Sequence, residues 1–533
     1  MLPARDLLQP LTGTMSFKSL LNDLTGYFLY LLFTATLGPL LFGFHLAELN
    51  TPQDVITCKK KTLFGSAAST LPQCMPMTPA EWGLVSSIFT LGGLIGALSA
   101  GPIAARQGRL RCMQFSTVFF AIGPVFEALA PHMGVLALGR FVSGLGAGAS
   151  VVVVPIYISE VAPPAEKGFF GSFTQIMCNV GILITQLLGY FLSKGQLWRV
   201  VLGAAGVIGV VQAVGLLFGV ESPKWLADAG QPGAAKKTLR KIRGHKFDIS
   251  EEVSGWGIEP SEELSGTSKK KKKTNALSNQ EPTATNPPPD EEETLLNNEE
   301  DRTGDHDSTS SPKPSPTQKP VLSFFQVARH PDTQKATIAV ITVMLAQQFT
   351  GINSIIMYGV SLLSSLLAAN SALLNLFVSA VNIAVTAGCA PLIERLGRKT
   401  CLLGSISGMG VAAALLAISI LKHVPVLSAV AVVGFVASFG LGLGPVPFIL
   451  ASELVGPEAV GATQSWALAA NWVATFIVAQ FFPMLNAALG GYTFFIFTAA
   501  AALFGAFVAY FVPETKGKKD ADEVWGRPGR RED

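Results

Sequence analysis

Twelve stretches of this chain are long and apolar enough to cross a lipid bilayer, running approximately over 27–48, 82–104, 112–131, 134–158, 169–192, 198–220, 337–366, 371–393, 401–421, 424–450, 461–483 and 490–512. Hydrocarbon admits only segments that satisfy their own backbone, and a helix needs about 20 apolar residues to span it. Charge is correspondingly scarce, at 14% of 533 residues, against about 25% in soluble domains. Mean hydropathy is +0.43. The net charge of +3 and the lack of a basic patch laced with aromatics exclude a nucleic-acid partner. The expected architecture is an all-α integral membrane protein with twelve transmembrane helices in two six-helix halves, and its first partner is the bilayer.

Orientation follows the basic residues. Arg106, Arg109 and Arg111 follow the second span, Lys236 to Arg243 the sixth, Arg395, Arg398 and Lys399 the eighth, and Lys516 to Lys519 the twelfth. With twelve spans all of these fall on one face, which is therefore expected to be cytosolic; Lys59, Lys60 and Lys61 are the exception. The halves also match internally. Gly108-Arg109 corresponds to Gly397-Arg398, Glu160 to Glu453, and Glu221 to Lys224 corresponds to Pro513 to Lys516. Such a parallel repeat is built into rocking-bundle transporters.

The expected layout is a cytosolic segment over 1–26, a first bundle over 27–220, a cytosolic loop over 221–336, a second bundle over 337–512 and a cytosolic tail over 513–533. Within the loop, about 245–320 carries blocks of lysine, proline and acid, a composition that does not build a core. Short amphipathic helices are expected on either side of it. No compact basic, apolar and small-residue run opens the chain, so no cleaved signal peptide is expected. Cys58 and Cys74 share the polar loop between the first two spans, on the face expected to be oxidising, and are expected to pair. Cys112, Cys178, Cys389 and Cys401 read as small apolar packing residues.

The seventh apolar stretch is interrupted by Gln347-Gln348-Phe349-Thr350-Gly351-Ile352-Asn353. An unpaired amide in an apolar medium costs roughly 2–7 kcal/mol, so these side chains must face protein, water or a polar ligand. One buried glutamine would read as helix-to-helix glue; three amides around a glycine point to a ligand rich in hydroxyls. Nothing resembles a catalytic constellation: the six histidines are scattered and no paired carboxylates share a membrane face. No enzyme activity, metal or cofactor is expected.

Six motifs in order carry a resemblance. They are Gly139-Arg140-Phe141, Pro155 to Glu160, Glu221 to Lys224, Gln347 to Asn353, Glu394 to Lys399, and Pro513 to Gly517. With them the chain resembles the sugar porter family of the major facilitator superfamily, and in particular hexose transporters of fungal vacuolar and plasma membranes. The resemblance implies a sugar site at Gln175, Gln347, Gln348, Asn353 and Asn382, with aromatic lining from Phe448, where many members carry Trp, and from Asn471-Trp472. It also implies a cytosolic charge network of Arg106, Arg109, Glu160, Lys167, Glu394, Arg398 and Glu453 that links the two halves when the transporter is open outward. Ala105 and Lys167 depart from the family's usual residues, which points to a weaker network in the first half.

The leading function is alternating-access transport of a hexose such as glucose. The alternatives are a proton-coupled symporter and a non-transporting sugar receptor. Proton-coupled members place an Asp in the first span opposite the Arg that opens the fourth. Here that position is His45 while Arg140 is kept; a protonated His45 would be repelled by Arg140, so a facilitator is favoured. Glu291, followed after three spacers by Leu295-Leu296, is similar to dileucine sorting signals read by adaptor complexes. It favours a vacuolar or lysosomal membrane slightly over the plasma membrane.

Overall fold

The computed structural model describes residues 24–60, 71–244, 249–254, 324–367, 371–456, 458–518 and 521–527. Glu291, Leu295 and Leu296 lie outside them. Every regular element among the described residues is helical. The first six spans are Gly26–Ala47, Pro79–Gln107, Arg109–Ala128, Met133–Val161, Lys167–Leu192 and Trp198–Leu217. The seventh is broken into Pro331–Phe349 and Ile352–Leu367, and the eighth and ninth are Ser371–Leu396 and Arg398–Leu421. The tenth is again broken, into Pro425–Leu441 and Val446–Glu453, before Val460–Leu489 and Thr493–Phe511 complete the set.

Among the described residues, length and hydropathy alone mark ten candidate membrane spans, with the last two fused as one stretch, Val460–Phe511. The turn Gly490–Tyr492 divides that stretch. Arg109–Ala128 is less apolar than these because it carries Arg109, Arg111 and Glu127. It nevertheless packs against the fourth and sixth spans as an integral member of the bundle.

The repeat seen in the sequence has a structural counterpart. Gly108 and Gly397 both take positive φ, 101° and 96°, which only glycine adopts without cost. The tight turn brings a carboxylate from the end of its own half beneath the next helix. Glu221 accepts from the backbone N–H groups of Arg109 and Leu110 at 2.8 and 3.1 Å, and Glu514 accepts from those of Arg398 and Lys399 at 2.8 and 3.1 Å. Each carboxylate thus satisfies orphan donors at the positive end of a helix dipole. A β-carbon on either glycine would collide with that carboxylate.

Pro223–Asp228 and Pro232–Arg243 follow the sixth span as short helices, and Phe324–Arg329 precedes the seventh. Arg243 ties the first group down, donating to the Val161 and Ala162 carbonyls and to Glu252. On the opposite face Cys58 and Cys74 are joined in a disulfide.

Candidate functional site

Both helix breaks belong to one polar hub. Pro447 has no N–H to donate to the carbonyl four residues back, that of Leu443. The side chain of Gln347 fills the gap, donating to the Leu443 carbonyl at 2.6 Å and reaching the Gly444 carbonyl at 3.2 Å. Its own oxygen accepts from Asn471 at 2.5 Å and from Gln348 at 3.1 Å, and Gln348 in turn accepts from Asn353 at 2.6 Å. Gly351, at φ 99°, makes the turn that sets Asn353 beside Gln348. Spans seven, ten and eleven therefore meet through four amides, three of them buried and Asn471 half-buried.

A second network joins the two halves. Gln175 donates to Asn179 at 3.3 Å, Asn382 donates to the same oxygen at 3.4 Å, and Asn179 donates to Thr386 at 3.1 Å. Asn179 and Thr386 were not singled out from sequence, although each stands four residues from a residue that was, on the same helix face. No hydrogen bond among the described residues connects this network to the hub of Gln347.

The two aromatic positions behave differently. Trp472 is buried and meets Phe42 and Phe89 of the other half edge-on, with centroids 5.7 and 6.4 Å apart. Phe448 is 40% exposed and makes no ring contact among the described residues. A cavity of about 840 Å³ between spans five and eight is lined by Leu183, Leu187, Leu373, Phe377 and other apolar residues. It offers a sugar no hydrogen-bonding group, so the amide networks are the better candidate site despite its size.

The charged loops pair within each half. Arg109 binds Glu160 through two nitrogens, both at 2.9 Å. Arg398 binds Glu453 at 2.9 and 3.2 Å, and Glu453 also accepts from Thr515 at 2.5 Å. Arg106 and Lys167 are exposed and form no ion pair among the described residues, and the Glu394 side chain is not described. Hydrogen bonds between the halves cluster elsewhere. Asn50 bonds Ile356 and Val360, Ser87 bonds Gln480, and Gln186 accepts from Ser379, all toward the disulfide face or in mid-membrane. The ion pairs Arg109–Glu160 and Arg398–Glu453 each stay within one half.

The expectation for His45 needs correction. Arg140 meets only the backbone carbonyl of His45, at 2.7 Å; its ion-pair partner is Glu48, at 2.5 Å. Glu48 stands one helical turn beyond His45 and also contacts its Nδ1 at 3.0 Å. Glu127 from the third span joins them, accepting from Ser143 at 2.7 Å. All four ionisable residues are at most 1% exposed. His45, Glu48 and Glu127 have the spacing of a metal-ligand set, each offering an atom within 4.8 Å of the others. The guanidinium on Glu48 already occupies one of those ligands.

A profile described as "Sugar (and other) transporter" matches residues 31–281 and 269–524. The chain belongs to the sugar porter family of the major facilitator superfamily. This porter is 32% identical over 507 residues to a vacuolar protein sorting-associated protein of Saccharomyces cerevisiae, spanning 93% of the chain and 95% of the relative. It is 30% identical over 499 residues to facilitated glucose transporter member 1 of Gallus gallus, spanning 91% and 90%. In fold it is similar to the xylose transporter XylE of E. coli in a partially occluded inward open conformation, with a TM-score of 0.69 at 22% identity over 93% of the porter and all of that structure. The porter is a multi-pass membrane transporter of sugar, not an enzyme.

Proposed function

We propose that this porter moves a monosaccharide, a hexose such as glucose, down its gradient by alternating access. The observation that carries the reading is the amide hub at the two helix breaks, where Gln347, Gln348, Asn353 and Asn471 converge on one point in mid-membrane. Each amide presents both donor and acceptor, as a pyranose hydroxyl does. The second network, Gln175 and Asn382 with Asn179, adds contacts from the first half, so one sugar held by both networks would draw the halves together. Trp472 supplies an apolar ring for the sugar's C–H face. Relatives named as facilitated glucose transporters support the hexose class.

A second reading, proton-coupled symport, has one observation in its favour. The carboxylate that His45 lacks is supplied by Glu48, paired with Arg140. Uptake of labelled glucose into proteoliposomes tests both, with fructose, mannose and galactose as competitors and with or without an imposed pH gradient. Downhill uptake without proton-driven accumulation supports facilitation; accumulation above equilibrium establishes symport. No uptake of any of these sugars leaves the receptor reading.

For location, the acidic dileucine segment Glu291 to Leu296 and the vacuolar name of a yeast relative both support an endomembrane reached through an adaptor complex. Leu295→Ala with Leu296→Ala is expected to move the protein to the cell surface. Unchanged location of that variant removes the reading.

A further inference from the structure

The indole N–H groups of Trp198, Trp225, Trp466 and Trp525 each donate to a backbone carbonyl, at 2.9, 2.8, 2.8 and 3.0 Å. That of Trp82, at the start of span two, finds no partner in the protein although the residue is only 2% exposed. A buried indole N–H ordinarily has one. Gln53, from the short helix Gln53–Ile56 just before the disulfide, is in the same position: its Oε1 is buried and accepts from nothing. One unused donor and one unused acceptor thus belong to residues that line the same cavity, of about 180 Å³. A hydrogen bond left unmade in a dry place is a cost that a ligand can remove.

Both halves build the walls of this cavity. The first supplies Gln53, Lys59 and Trp82; the second supplies Tyr358 and Ser361 of Ile352–Leu367 with Phe482 and Asn486 of Val460–Leu489. Lys59 is exposed, so its side of the cavity opens to solvent on the disulfide face. The Tyr358 and Phe482 rings stack at 5.5 Å, and the Tyr358 hydroxyl donates to the Ala479 carbonyl at 2.6 Å, which leaves the cavity its ring. The seam alongside is already an interface, where Asn50 reaches Ile356 and Val360 and Ser87 reaches Gln480. Drug-sized ligands fill about 300–1,000 Å³, so this space suits something smaller, one monosaccharide or several waters. The wall chemistry separates the two. Aromatic faces offer water no hydrogen bond, whereas a pyranose has hydroxyls for the amides and a C–H face for the rings.

We propose that this cavity is a second saccharide site, which holds one monosaccharide between the halves and slows transport when sugar is abundant on the disulfide face. The sugar's hydroxyls accept from Trp82 Nε1 and Lys59 and donate to Gln53 Oε1, with Ser361 and Asn486 answering from the second half. The class of ligand rests on the hexose reading above; the site itself stands on the cavity and its two unsatisfied atoms. A ligand gripped by both halves favours the arrangement in which they meet. Alternating access requires them to part on this face, so occupancy of the cavity competes with turnover. None of these residues belongs to the hub of Gln347, and the two sites can therefore be emptied one at a time.

The test reads the Trp82 indole directly. In the purified full-length protein, isotope-labelled at its tryptophan indole nitrogens, titration with D-glucose should move one N–H resonance downfield. Trp82→Phe, which keeps the ring's packing, should delete that resonance. Asn486→Ala changes only the far wall and should weaken the affinity read from the shift about two- to tenfold, the range for one hydrogen bond. Gln348→Ala, in the hub, should leave the shift in place. In proteoliposomes with the disulfide face outward, initial uptake should fall again at high external glucose; Trp82→Phe and Asn486→Ala should abolish that fall and keep the half-saturation point. If Trp82→Phe fails to fold, Asn486→Ala decides. A Trp82 resonance unmoved by glucose, in protein that still takes up the sugar, overturns the proposal and leaves transport standing, the cavity then holding water only. A shift lost in Gln348→Ala overturns it too, since the indole then reports occupancy of the hub. Uptake that saturates without falling overturns the brake. An intact shift in protein that takes up no hexose upholds the site and removes the transport reading instead.

Discussion

Replacing Gln347 by alanine tests whether the hub works as a unit. Gln347 has one amide engaged with four groups: the Leu443 and Gly444 carbonyls, Asn471 and Gln348. Truncation strands the Leu443 carbonyl, whose helical donor is already missing at Pro447. A buried acceptor left without a partner costs about 1–3 kcal/mol. Asn471 is half-buried and can recover a water, and Gln348 can swing toward the space vacated, so the loss expressed on the sugar should be nearer about 2 kcal/mol than the sum of four bonds. That is roughly thirtyfold in affinity. Labelled-glucose counterflow over a range of concentrations gives the half-saturation point, and thermal unfolding of the detergent-solubilised protein reads the structural part. Both should worsen in Gln347→Ala. A change below twofold in half-saturation, with unfolding unaltered, would refute a hub shared between structure and substrate.

Other expected outcomes follow from single contacts. Gly351→Ala forces a β-carbon into left-handed backbone and against the Phe497 ring; it should cost about 1–2 kcal/mol from backbone alone, seen as a lower melting temperature and reduced uptake. Cys58→Ser should expose a free Cys74 thiol to alkylation and lower stability by about 3 kcal/mol, the value expected for closing a loop of this length. A double-mutant cycle on Arg109 and Glu160, followed by thermal unfolding, should give a coupling of about 1–3 kcal/mol from their two charged hydrogen bonds. A coupling near zero would mean that solvent screens the pair.

The spans were legible because hydrocarbon enforces long apolar runs, and the seventh-span break because amides and glycine interrupt one. The tenth-span break was harder to see. Gly442 to Pro447 can be read as close packing, and only the approach of Gln347 shows which carbonyls it frees. Glu48 and Glu127 were invisible as a pair. Each lies near the end of an apolar stretch, where an acidic residue looks like the start of a loop, and 79 residues separate them. Nothing local announces that spans one, three and four bring them together. The loop charges were recognised as a set, but the pairing of Arg109 with Glu160 and of Arg398 with Glu453 within each half emerges only from the folded chain. Glu221 and Glu514 appeared only as matching motifs until the turns at Gly108 and Gly397 placed them under helix ends.

Asn50 has a consequence for how the disulfide face opens. Its amide donates to the Ile356 carbonyl at 2.7 Å and accepts from the Val360 N–H at 2.9 Å, and those two groups are natural partners in one turn of the helix Ile352–Leu367. The latch between halves is therefore fastened to a bond the helix can close for itself. When Asn50 withdraws, neither backbone group is stranded, and the free energy of release is confined to one side chain finding water. Trimming Asn50 to alanine should therefore leave the helix whole while tilting the resting population toward an open disulfide face.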